Sequence, residues 1–69
     1  MSEIRKTFSI NFDKEVRKSI SSWAMVNQLD DQLNVRVGRG KWYATRYFSR
    51  EESDGSLTFS VEVVIVETT

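Results

Sequence analysis

The stretch LNVRV, residues Leu33 to Val37, decides how this chain is divided into elements. Its three apolar residues alternate with Asn34 and Arg36, the period of two expected of a strand with one buried face. A strand here leaves one helix before it and two more strands after it. Gly38-Arg39-Gly40 ends the alternation, and a two-residue turn built on Gly38 or Gly40 folds the chain back. A third strand then runs from Lys41 to Arg50. Asp54-Gly55 is the next turn signal, and Leu57 to Glu67 is the fourth strand.

Upstream, Thr7-Phe8-Ser9-Ile10-Asn11-Phe12 alternates in the same way, with Phe8, Ile10 and Phe12 on the buried side. Asp13 offers a helix N-cap, because its carboxylate can accept an orphan N–H of the first turn. From Lys14 the period changes, and Val16, Ile20, Trp23 and Ala24 share one helical face. Asn27 falls on that face, where an unpaired amide is costly to bury, so the helix is expected to end near Val26 with Asn27 as its cap. Asp30 and Asp31 then belong to a loop. The expected fold is a small single α+β domain over residues 1–69, in the order β-α-β-β-β. One mainly antiparallel sheet carries one helix on one face. Trp23 and Trp42 are both expected between helix and sheet.

Composition limits the chemistry. The chain has 69 residues, no Cys, no His, and ten basic side chains against ten acidic. Disulfides, thiolate metal sites and the commonest acid–base group are therefore absent. No motif for nucleophilic catalysis, dinucleotide binding or a P-loop is present, which predicts a protein that is not an enzyme and takes no cofactor or metal. Glu51, Glu52 and Asp54 miss the spacing of a calcium loop. No apolar run spans a bilayer and no secretory signal is visible, so a cytoplasmic protein without membrane contact is expected.

The neutral total conceals a segregation. Residues 32–50 carry five basic and no acidic side chains, and residues 51–69 carry five acidic and no basic ones. Opposite signs on successive strands suit a hairpin pair. With Asp54-Gly55 as a two-residue turn, residues whose numbers sum to 109 lie opposite. Ala44, Arg46, Phe48 and Trp42 then face the helix, with Arg46 as a misfit that a nearby bulge would release to water. The uncovered face collects Arg36, Lys41, Tyr43 and Tyr47, with Val64 and Val66.

A contiguous patch of this kind marks an interface. Arg36, Arg39, Lys41, Tyr43 and Tyr47 are the candidate partner-binding residues. Tyr and Arg suit the desolvated centre of a protein interface, so docking on a larger protein as an inhibitor or regulator is expected. The alternative is single-stranded nucleic acid, with bases stacked on the tyrosines and phosphates on the cations. Lys14, Arg17 and Lys18 crowd a helix N-terminus against its dipole and form a secondary anion-binding candidate. A homodimer is also expected, through the last strand as an exposed sheet edge.

The stretch KTFSINFDKEVRKSI, Lys6 to Ile20, resembles the opening strand and first helix of ribbon-helix-helix DNA-binding proteins. It covers about a fifth of the chain. That family needs a second helix next, where LNVRV reads as a strand, so no residue role is carried over.

Overall fold

The computed structural model describes residues 2–67. The order of elements is β1 (Ser2–Phe12), α1 (Lys14–Ser19), α2 (Ser22–Arg36), β2 (Trp42–Glu51) and β3 (Leu57–Glu67). The α+β class holds: three antiparallel strands form one sheet in the order β1-β3-β2, with the longer helix packed on one face. The described part is elongated, 43 × 19 × 15 Å.

LNVRV is not a strand. It is the last turn of α2, and the expected order β-α-β-β-β becomes β-α-α-β-β. The stretch satisfies two periods at once. Leu33 and Val37 are four apart and lie inward on a helix as readily as on a strand. Val35 separates the two cases, and it is 86% exposed. The stripe that holds the helix is Met25, Leu29 and Leu33, spaced i, i+4, i+8, and all three are buried. Asn27 lies off that stripe, exposed in mid-helix, and does not cap anything.

The helix expected from Lys14 onward is in fact two. Asp13 caps α1 by accepting from the N–H groups of Glu15 and Val16 at 3.0 and 2.9 Å. Ile20 is extended, at φ −112°, ψ 136°, and ends it. Ser21 then caps α2 by accepting from Ala24 N–H at 3.1 Å. This second start rotates the apolar face: Met25 is buried, whereas Trp23 is 73% exposed. Trp42 does lie against the core, and its Nε1 donates to Asn34 Oδ1 at 3.0 Å.

Gly38 and Gly40 have a different task from a strand–strand turn. The N–H groups of Val37 and Gly38 both close on Leu33 O, at 2.8 and 3.3 Å. Gly38 takes φ 118° and Gly40 φ 77°, a region that β-carbon sterics make costly for other residues. Together they stop α2 and aim the chain into β2.

The sheet interior is built on β3. Phe59, Val61 and Val63 are buried under α2 with Phe12 of β1. β3 is hydrogen-bonded on both sides, to β1 and to β2. It is therefore no sheet edge, and the route to a homodimer through the last strand is closed.

Candidate functional site

The two partners of β3 set the faces of the sheet. Along β1, register runs without interruption from Ser2↔Glu67 to Phe12↔Leu57. Glu3, Arg5, Thr7, Ser9 and Asn11 thus share the face away from the helix. Along β2 two departures from simple pairing occur. The loop to β3 has Ser53, Asp54 and Gly55 at its tip, closed by Gly55 N–H to Glu52 O at 3.1 Å and Glu52 N–H to Ser56 O at 2.8 Å. Gly55, at φ 89°, completes a three-residue loop rather than a two-residue one. That odd count shifts every pair near the loop by one, giving Tyr47↔Val61 and Phe48↔Ser60. A bulge between Ala44 and Arg46 then shifts the register again, so Ala44↔Val63 and Trp42↔Ile65.

The consequence for the candidate residues is direct. Trp42 and Ala44 face the helix, as expected. Arg46 and Phe48 do not: they stand on the uncovered face, and Tyr47 stands on the helix side. Tyr47 donates its hydroxyl to Asp30 Oδ1 of α2 at 2.8 Å, and its ring lies 6.4 Å from that of Phe59. Burial, then the Asp30 hydrogen bond and charge, pushes its hydroxyl up to about 12.

Arg36, Arg39, Lys41, Tyr43 and Tyr47 therefore do not form one patch. Tyr43 alone of the five joins the uncovered face, at the start of β2, half-exposed, with its hydroxyl donated to Glu3 Oε2 at 3.3 Å. Arg36 ends α2. Arg39 and Lys41 belong to the α2–β2 turn, where the Lys41 stem lies against Gly38. The second candidate set is engaged in the fold. Lys14 packs its stem on Gly55, and Arg17 donates to Gly55 O at 3.1 Å and pairs with Glu51 at 3.4 Å. Lys18 lies 3.8 Å from Glu15. These contacts pin the β2–β3 loop on α1, and Asp13 already occupies the N–H groups at the start of that helix.

What the uncovered face does present is an open groove of about 470 Å³, lined by Thr7, Ser9, Phe48, Ser49, Arg50, Thr58 and Ser60. Hydroxyls of neighbouring strands hold one another across it. Ser9 and Ser60 are joined at 2.8 Å, and Asn11 Nδ2 donates to Thr58 Oγ1 at 3.1 Å. Phe48 is 37% exposed, and the Arg46 guanidinium lies 4.6 Å from its ring centroid. Each arginine has a carboxylate at hand: Arg46 near Glu62 at 4.0 Å, and Arg50 on Glu52 at 2.9 Å. The Arg50 contact, with a second hydrogen bond from Thr58, holds the Glu52 carboxyl below its usual range. The opposite signs of residues 32–50 and 51–69 are thus partly spent within the β2–β3 hairpin.

Phe48, Arg46 and Tyr47 are the residues that strict alternation misplaced. Arg46 itself carried the signal, as a cation in an otherwise apolar row. Val64, expected on the surface, is buried although it faces away from the helix, flanked in register by Arg5 and Tyr43. Among the described residues no cluster of metal-ligating side chains occurs, and no helix is long and apolar enough to cross a membrane.

By fold and surface this is a small α+β protein with one helix-covered sheet face and one uncovered, polar-aromatic face. Compared with known proteins, the chain matches no family model, no curated protein and no solved structure. A second helix does follow Lys6–Ile20, yet the resemblance to ribbon-helix-helix proteins stays confined to that stretch.

Proposed function

We propose that this chain is a non-catalytic cytoplasmic binding protein that docks its uncovered sheet face on a larger protein, as an inhibitor or regulator. The observation that supports this reading is Phe48. It is a large aromatic ring, partly exposed on a sheet face with no helix over it, next to Arg46 and Arg50 and bordered by a groove of hydroxyls. An aromatic anchor flanked by arginines inside a polar rim is the composition of an interface hot spot. Tyr43 extends the same surface.

The single-stranded nucleic-acid reading draws less support. Tyr47, one of its two stacking platforms, is turned toward α2. The cations of the face alternate with Glu3, Glu62 and Glu52, which repel a phosphate chain. The deciding experiment is affinity capture from nuclease-treated lysate with the parent and with Phe48→Ala. Capture of a discrete protein by the parent and its loss with Phe48→Ala supports docking. Capture that disappears with nuclease, or that Phe48→Ala leaves intact, overturns it.

A further inference from the structure

The two sheet edges are unlike. β2 is blunted by its bulge between Ala44 and Arg46. β1 is regular over eleven residues, and among the described residues no strand pairs with its outer side. Its row on the helix side keeps Ile4, Phe8 and Ile10 only partly covered. A regular edge of unpaired N–H and C=O groups accepts another strand.

We propose that the strand it accepts is β1 of a second copy, paired antiparallel about a two-fold axis at Thr7. Two-fold antiparallel pairing places like faces side by side, so the axis must pass through one residue of β1 and its symmetry mate. Length and charge select the same residue. Only an axis at Thr7 pairs all eleven residues Ser2–Phe12. An axis at Arg5 or Lys6 sets that cation against itself, which is unfavourable for directly opposed side chains. At Thr7 the opposed pairs are Lys6 with Phe8, Arg5 with Ser9, Ile4 with Ile10 and Glu3 with Asn11. No like charges meet, and a cation meets an aromatic ring. The product is a six-stranded sheet with both α2 helices on one face. Its other face is continuous, with a Phe48 groove in each half.

The test uses the full chain, which has no native cysteine. Opposed Cα atoms in an antiparallel pair are about 4.5–5.5 Å apart, within disulfide reach. Thr7→Cys is therefore expected to give a disulfide-linked dimer under mild oxidant, while Thr45→Cys on the blunted edge stays monomeric. Ser9 faces Arg5 of the second copy. Ser9→Glu should tighten self-association by about fivefold to tenfold and Ser9→Arg weaken it as much, as read by sedimentation equilibrium. Both variants lose the same Ser9–Ser60 hydrogen bond, so a difference between them reports the interface and not the fold. One protomer mass at all concentrations, equal cross-linking by Thr45→Cys, or a dimer indifferent to the charge at position 9 overturns the proposal.

Discussion

β1 and β2 flank the same central strand, and they obey different rules. Every pair between β1 and β3 follows one register, so alternation in the sequence translates directly into faces. Between β2 and β3 an odd loop and a bulge each displace the register by one. The two displacements add to two beyond the bulge, which restores the facing there and not before it. That is why Trp42 and Ala44 face the helix as alternation requires, while Arg46, Phe48 and Tyr47 are exchanged. The chemistry of the faces follows. The β1 row under the helix contains Phe8, Ile10 and the buried Phe12. The equivalent row of β2 near the loop is Tyr47, Ser49 and Glu51, held to the helices by polar contacts to Asp30 and Arg17. One partner of β3 is fixed by burial; the other is fixed in large part by hydrogen bonds and charge.

The sharpest way to break this contrast is to remove one residue from each strand. Deleting Asn11 shifts the rest of β1 by one, turning Phe8 and Ile10 away from the helix. The lost burial, with two lost Asn11 hydrogen bonds, should cost about 3 kcal/mol or more, enough to unfold a domain of this size. Deleting Thr45 removes the residue that makes the bulge, and Arg46 and Tyr47 keep their faces. Its cost should be about 1 kcal/mol, mainly the hydrogen bonds of Thr45 to Glu62. Chemical denaturation of the two variants measures both, and equal losses would refute the contrast.

The tryptophans give the next largest effect. Trp42→Ala removes a half-buried indole and its bond to Asn34, and about 2–3 kcal/mol of stability should go with it. Trp23→Ala, on the exposed side of α2, should stay within about 0.5 kcal/mol of the parent. Thermal scans that rank the pair the other way would mean that α2 is rotated from the position described.

Phe48→Ala and Tyr43→Ala should each lose no more than about 1 kcal/mol of stability while removing partner capture. A variant that fails to bind because it fails to fold would be recognised by its far-UV circular dichroism.

The class of fold was legible because the sheet period is strong over Thr7–Phe12 and Leu57–Glu67 and breaks at Lys14. The helix α2 was not, for a local reason. Asn27, Asp30 and Asp31 interrupt its apolar content, and the five residues of LNVRV fit both periods equally. Only the spacing of Met25, Leu29 and Leu33 across those polar residues reveals it. The candidate site was legible in part. Tyr43 was correctly placed, and Arg46 announced the bulge without locating it. Phe48 lay beyond reach, since its face depends on whether a loop holds two residues or three, and Asp-Gly serves both.

The smallest effect tests the polar attachment of β2 by pH. Tyr47→Phe loses the hydroxyl bond to Asp30 and, at neutral pH, no more than about 1 kcal/mol. Its larger signature is alkaline. In the folded chain Tyr47 holds its proton up to about 12, because burial and then Asp30 oppose the phenolate, against an ordinary value of 10.0. Between those values the folded state binds more protons than the unfolded state, so stability falls as pH rises. The contribution of Tyr47 is complete below the lower value and is lost on passing through the upper one. Urea unfolding of parent and Tyr47→Phe across this window should show a steeper alkaline decline in the parent. Identical slopes would mean that Tyr47 reaches water freely in solution, and that β2 is not held to α2 through Asp30.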